Sequence, residues 1–146
     1  MTTADEPPCK DPLASLTGYV LRRASTAALA DLNQRLAPLE LRHADVSLFL
    51  LIESSAGITQ SEAGRILDIQ RANMTPFVAR LRRRGLIECR RVDGRSQALA
   101  LTSSGRSLLS KAQRVVEACE RSLLARVPKE MRPMVLPILL MLWNRR

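Results

Sequence analysis

Aromatic residues are scarce in this chain: one Trp, one Tyr and two Phe in 146 residues. That scarcity excludes the stacking platforms on which single-stranded nucleic acids are usually held. It also leaves the core to Leu, Ile, Val, Met and Ala, a mixture suited to helix packing rather than to a β-sandwich. One His and the scattered Cys9, Cys89 and Cys119 form no metal-ligand spacing and no paired disulfide framework, so neither metal nor cofactor is expected, and a reducing cytoplasm is. A Gly-rich phosphate loop, a G-x-S-x-G elbow and paired acids in a plausible cleft are all missing, which argues against an enzyme. The first residues, MTTADEPPCKDP, have neither the basic start nor the apolar run of a secretory signal. The longest apolar stretch, Met134 to Trp143, is interrupted by Pro137 and too short to span a bilayer, so no membrane partner is expected.

Arginine is what the chain has in excess. Lysine occurs only at Lys10, Lys111 and Lys129, yet the formal net charge is +9. Between Arg80 and Arg95 stand Arg80, Arg82, Arg83, Arg84, Arg90, Arg91 and Arg95 against Glu88 and Asp93. A cationic patch this concentrated attracts phosphates and steers association. The bland reading, a solvated arginine-rich surface, would spread the charge more evenly.

The length suits one domain with a sizeable core. Residues 1–11 are polar and Pro-rich and read as a loose arm. From Pro12 to Leu36, apolar residues recur at three- and four-residue steps, predicting a long amphipathic helix. A second helix is expected from Arg42 to Ser54, with Val46, Phe49, Leu50 and Ile52 buried and Gly57 closing it. Thr59-Gln60-Ser61-Glu62 is a capping box for a helix ending near Leu67. Asp68-Ile69-Gln70 makes a turn. The next helix runs from Arg71 to about Arg84, with Met74, Phe77, Val78 and Leu81 on one face, and Gly85 ends it. Leu86 to Arg91 and Gln97 to Leu101 alternate as strands joined across residues 92–96, with Asp93-Gly94 as the hairpin signal. Thr102 caps a helix to about Arg126, and Pro128 to Arg146 form a last helix broken or kinked at Pro133 and Pro137.

Thr59-Gln60-Ser61-Glu62, the turn, Arg71 to Arg84, Gly85-Leu86-Ile87, Asp93-Gly94-Arg95 and Leu101-Thr102-Ser103-Ser104-Gly105, in that order, resemble the winged helix-turn-helix of the MarR family of bacterial transcription regulators. The resemblance covers residues 12–145. It implies a mainly α fold with a small β-wing, and an intertwined homodimer joined through residues 12–36 and 103–146, with residues 37–102 as the DNA-binding lobe. It further implies a recognition helix in each of two successive major grooves, ~34–36 Å apart, on a pseudo-palindromic double-stranded operator. Leu13, Leu16, Leu136, Leu139, Leu140 and Trp143 are then interface residues, though the C-terminal ones could equally fill an intramolecular core.

On the recognition helix, Gln70, Arg71, Asn73 and Thr75 stand where side chains reach base edges; capping and solvent exposure are the plainer alternatives. Arg80, Arg83 and Arg84 are expected on backbone phosphate. The resemblance matches Arg95 to the minor-groove arginine of the wing and Asp93 to the acid that orients it, with Arg90 and Arg91 flanking on phosphate. Four positions depart from the family pattern: Pro76 should distort the helix near Ala72, Asp68 replaces a turn Gly, Gly64 replaces a small Ala at ~1 kcal/mol, and Arg42 replaces a capping residue.

The family typically releases DNA when a small molecule, often an aromatic acid, enters a cleft between the dimer helices and the DNA-binding lobe. Tyr19, Arg22, Arg23 and His43 are the candidate effector residues for such an acid or its thioester, weighed against an ordinary solvated helix face. A thiol-sensing regulator of the same fold, using Cys9 or Cys89, and a non-specific DNA architectural protein stay open as alternatives.

Overall fold

The computed structural model describes residues 11–93 and 96–143, and at residues 92, 93 and 96 the backbone only. Cys9, Lys10, Gly94 and Arg95 therefore lie outside the described residues, as does the side chain of Asp93.

The first helix begins later than its apolar spacing predicts. Asp11 accepts from the Leu13 N–H at 2.9 Å and caps a short 3-10 turn, Pro12–Ser15. Leu16 is then extended, and α1 spans Thr17–Leu36. A second 3-10 turn, Ala37–Leu39, ends on Glu40 in the left-handed conformation. Helix α2 follows as His43–Ser54. Its first turn lacks a Ser, Thr or Asp cap, and two carboxyl or amide oxygens substitute for one. Asp45 Oδ2 accepts from the Arg42 N–H at 2.8 Å, and Asn33 Oδ1, reaching across from α1, accepts from the His43 N–H at 2.8 Å.

Helix α3, Gln60–Ile66, starts on the anticipated box. The Thr59 N–H and hydroxyl donate to Glu62 Oε2 at 2.9 and 2.8 Å, and these bonds hold the Glu62 carboxyl below its ordinary range. Asp68 adopts a positive φ of 55° and turns the chain into α4, Arg71–Arg83. Strands β1, Ile87–Asp93, and β2, Ser96–Leu101, pair antiparallel, Ile87 opposite Leu101 and Asp93 opposite Ser96, with an irregularity between Arg91 and Asp93. The hairpin is thus longer and its loop shorter than alternation indicates. Leu99 N–H also donates to the Ile58 carbonyl at 2.8 Å, which ties the wing to the entry of α3. Thr102 Oγ1 accepts from the Gly105 N–H at 3.0 Å and opens α5, Ser103–Ala125.

The tail is not broken at its prolines. After a 3-10 turn, Lys129–Met131, helix α6 spans Arg132–Trp143. Pro133 falls in its first turn, where no N–H is required, and the helix continues through Pro137. Likewise α4 runs unbroken through Pro76, so the anticipated distortion near Ala72 does not interrupt the helix.

The core gathers Leu36, Leu48, Phe49, Met74, Leu81 and Leu101 from four different elements. Leu48, not Leu50, faces it, and Leu50 is 39% exposed. Helix α1 contributes one buried residue, Leu36, and α6 none. Leu13, Leu16 and Val20 stand exposed at one end, and Leu136, Leu139, Leu140 and Trp143 at the other. One protomer exposes 11266 Å². A compact monomer of 16.2 kDa would expose roughly 7,400 Å².

Candidate nucleic-acid interface

Met74, Val78 and Leu81 are buried at a four-then-three spacing and set the rotation of α4 on the lobe. At 3.6 residues per turn, Ala72, Pro76 and Arg83 then point most directly away from the core. Asn73 and Thr75 flank that line, Arg71 and the cap residue Gln70 stand at the N-terminal end of the helix, and all four are exposed. Gln70 occupies the cap position of α4 through its backbone, accepting from Asn73 and Met74 N–H, and its side chain makes no cap bond. Capping therefore does not account for Gln70. Thr75 is partly engaged: its hydroxyl accepts from Gln60 Nε2 at 3.2 Å. Gln60, at the start of α3, escaped the sequence reading because only the packing of α3 on α4 brings the two together.

Gly64 permits that packing. A Cβ there would lie 2.9 Å from Met74 Cγ and 3.2 Å from the Ile69 carbonyl oxygen. The sequence view of Gly64 as a mild helix defect is therefore reversed. Gly64→Ala should lower stability by about 1–2 kcal/mol despite Ala's higher helix propensity. A thermal melt of the full chain with an unchanged or raised midpoint would contradict this.

The arginines expected on phosphate divide into two groups. Arg83 is exposed and makes no ion pair among the described residues. Arg80 and Arg84 are part-exposed, and each is paired within the protein. Arg80 Nη2 bonds the wholly buried Asp45 Oδ1, with its guanidinium 5.5 Å above the Phe77 ring. Arg84 Nη1 donates to the Glu40 carbonyl at 2.7 Å, and its Nη2 lies 3.7 Å from the Glu40 carboxylate. Arg82, which the sequence reading left out of the site, is exposed on the same helix. On the wing, Arg90 pairs with Glu88 at 2.6 Å and Arg91 is exposed.

The four candidate effector residues are not brought together within one protomer. Arg22 and Arg23 lie over the Tyr19 ring at 5.2 and 5.9 Å on the exposed face of α1. His43 instead touches Asn33, separated from Tyr19 by about 21 Å of helix axis at ~1.5 Å per residue. There it borders a groove of about 790 Å³ with Asn33, Arg42 and Arg80. A second cleft, about 100 Å³ between α1 and α5, is lined by Leu29, Leu32, Val116 and Cys119. Burial pushes the Cys119 thiol up, with the Arg35 guanidinium pulling the other way. Such a thiol is a poor nucleophile. Cys89 is free and half-buried in the wing.

No family model matches the chain. The curated HTH-type transcriptional repressor Rv2887 of Mycobacterium tuberculosis is 27% identical over 112 residues, covering 75% of this chain and 81% of the relative. Among solved structures, the transcriptional repressor CouR bound to a 23-mer DNA duplex is 32% identical, with a TM-score of 0.85 over 90% of this chain and 95% of that one. CouR bound to p-coumaroyl-CoA is 30% identical, with a TM-score of 0.82 over 94% and 98%. The M. tuberculosis MarR family protein Rv2887 in complex with salicylic acid is 25% identical, with a TM-score of 0.71 over 96% and 99%. The backbone matches these relatives along nearly its whole length, and the chain belongs to the MarR family of transcriptional regulators.

Proposed function

We propose that this chain is a homodimeric, site-specific DNA-binding repressor, released from its operator by a small aromatic acid or its coenzyme A thioester. One observation carries the reading. The polar N-terminal turns of α4 are held outward by a buried Met74–Val78–Leu81 stripe, in a frame shared with a repressor seen on a DNA duplex. Arg71, Asn73 and Gln70 read base edges, and Arg83, Arg82 and Arg91 meet phosphate. The wing supplies Arg95, oriented by Asp93, to a narrow minor groove. Residues 12–36 and 103–146 form the dimer scaffold and residues 37–102 the DNA-binding lobe. The protein is a cytoplasmic regulator rather than a catalyst; among the described residues no helix is long and apolar enough to cross a membrane.

Effector control follows from the relatives that hold salicylic acid and p-coumaroyl-CoA. The Tyr19–Arg22–Arg23 cluster suits a carboxylate or thioester phosphate, and the His43 groove is large enough for a drug-sized molecule. The ligand acts by favouring a dimer whose recognition helices are mis-spaced for the operator. Thiol sensing is the weaker reading, since the relatives in hand are described with aromatic ligands, and burial raises the Cys119 thiol and makes it a poor nucleophile.

The test is binding of the full chain to the promoter upstream of its own reading frame and to random duplex. A ratio of at least 10³ is expected at physiological salt, and a ratio near unity would mean an architectural protein instead. In the same assay, Arg83→Ala and Arg95→Ala should each weaken binding and lower the salt slope by about 1. An unchanged slope for both would remove them from the phosphate and groove contacts. Thermal-shift screening of aromatic acids and their thioesters, with hits checked for loss of operator binding, tests the effector class.

A further inference from the structure

We propose that Asp45 and Arg80 are positioning residues for DNA recognition, one end of a relay carried by the backbone of the first turn of α2: Asn33 holds that turn to the dimer helix α1, and the Asp45–Arg80 pair holds it to the recognition helix. The proposal rests on the DNA-binding reading above and extends it to residues that touch no DNA.

Asp45 is the one buried charged residue among those described, at 0% exposure. Both of its oxygens are engaged, Oδ2 by the Arg42 N–H at 2.8 Å and Oδ1 by Arg80 Nη2 on α4. Two residues earlier in α2, Asn33 Oδ1 on α1 accepts from the His43 N–H at 2.8 Å, and the His43 ring Nδ1 lies 3.2 Å from the same oxygen. The relay thus passes from α1 through the first turn of α2 to α4. Arg84 makes a second tie to the same corner through the Glu40 carbonyl.

Asp45 is buried but the Arg80 side chain keeps 39% of its surface exposed, and such a pair is a poor means of stabilising a fold, because desolvation of the carboxylate offsets much of an attraction that solvent already weakens. What it supplies, and an apolar pair does not, is direction. Helix α4 has 13 residues and is about 20 Å long. Arg80 sits near its C-terminal end, roughly 14 Å along the axis from Arg71. A tilt of about 10° pivoting at Arg80 would therefore carry Arg71 roughly 2 Å, more than a pre-organised contact tolerates. Since both half-sites must be met at one fixed separation, error in this angle is counted twice.

The experiment compares the double variant Asp45→Leu/Arg80→Met and the single variant Asn33→Ala with wild type. It measures denaturant midpoint, affinity for the promoter duplex, its salt slope, and affinity for the same duplex lengthened by one base pair between half-sites. The double variant should keep a near-wild-type midpoint and salt slope while binding the natural duplex at least tenfold more weakly. Its preference for natural over lengthened duplex should fall toward unity. Asn33→Ala should move the same preference in the same direction by about threefold, and it carries the test if the double variant does not fold. Wild-type spacing preference in the folded variants overturns the proposal, as does a salt slope lowered by about 1, which would make Arg80 a phosphate contact. Wild-type protein that binds promoter and random duplex equally would sink the repressor reading as well. Wild-type discrimination with unaltered variants sinks only the relay.

Discussion

Gly105→Ala is expected to cost about 3 kcal/mol or more and to lower the melting midpoint by roughly 10 °C. Gly105 lies in the first turn of α5, where a Cβ would fall 2.0 Å from the Leu86 carbonyl oxygen and 3.0 Å from its carbon. That carbonyl cannot easily withdraw. It accepts from the Thr102 N–H at 3.1 Å, and the Thr102 hydroxyl beside it, 3.2 Å away, donates to the Gly85 carbonyl at 2.6 Å. Adding one methyl therefore pushes α5 away from the strand that leads into the wing. The gain in helix propensity, about 1 kcal/mol, is too small to offset it. A midpoint within 2 °C of wild type would show that the α5–β1 junction yields freely.

Deleting residues 134–146 should abolish the dimer and reduce operator affinity by about two orders of magnitude or more. Met134, Leu136, Ile138, Leu139, Leu140, Met141, Leu142 and Trp143 are all exposed in one protomer, Met141 at 75%. A continuous apolar face of this kind marks an interface, and a two-fold contact covers the same surface on both copies. Without it each lobe binds one half-site alone, and the avidity of linked binding, on the order of 10²–10⁴, is lost. Sedimentation at micromolar concentration, with titration on the promoter duplex, reads both effects. A stable dimer without residues 134–146 would place the interface elsewhere.

The features visible in the sequence are those decided within a few residues. The Thr59–Glu62 box, the left-handed Asp68, the Gly85 turn and the Thr102 cap all appear as anticipated, because each is a local exchange of hydrogen bonds. The core face of α4 was equally legible, since polar residues surround Met74, Val78 and Leu81. In α2 the same method misplaced Leu50: HADVSLFLLIES is apolar nearly all round, so its period marks no single face. Partners distant in sequence were invisible. Asp45 finds Arg80, Glu40 finds Arg84, and Asn33 takes over the capping that Arg42 cannot perform. Counting arginines locates a basic patch, but it does not tell which of them are already neutralised by the protein. Within one protomer the candidate effector residues stand apart, Tyr19, Arg22 and Arg23 on α1 and His43 on α2.

Helices that form the ends of this chain contribute almost nothing to its own interior, and this has a bearing on how the protein persists in a cell. In the proposed dimer, pairing stabilises the folded chain, so the melting midpoint is expected to climb with protein concentration. On that reading the chain is most fragile when freshly synthesised, before a second copy has met it.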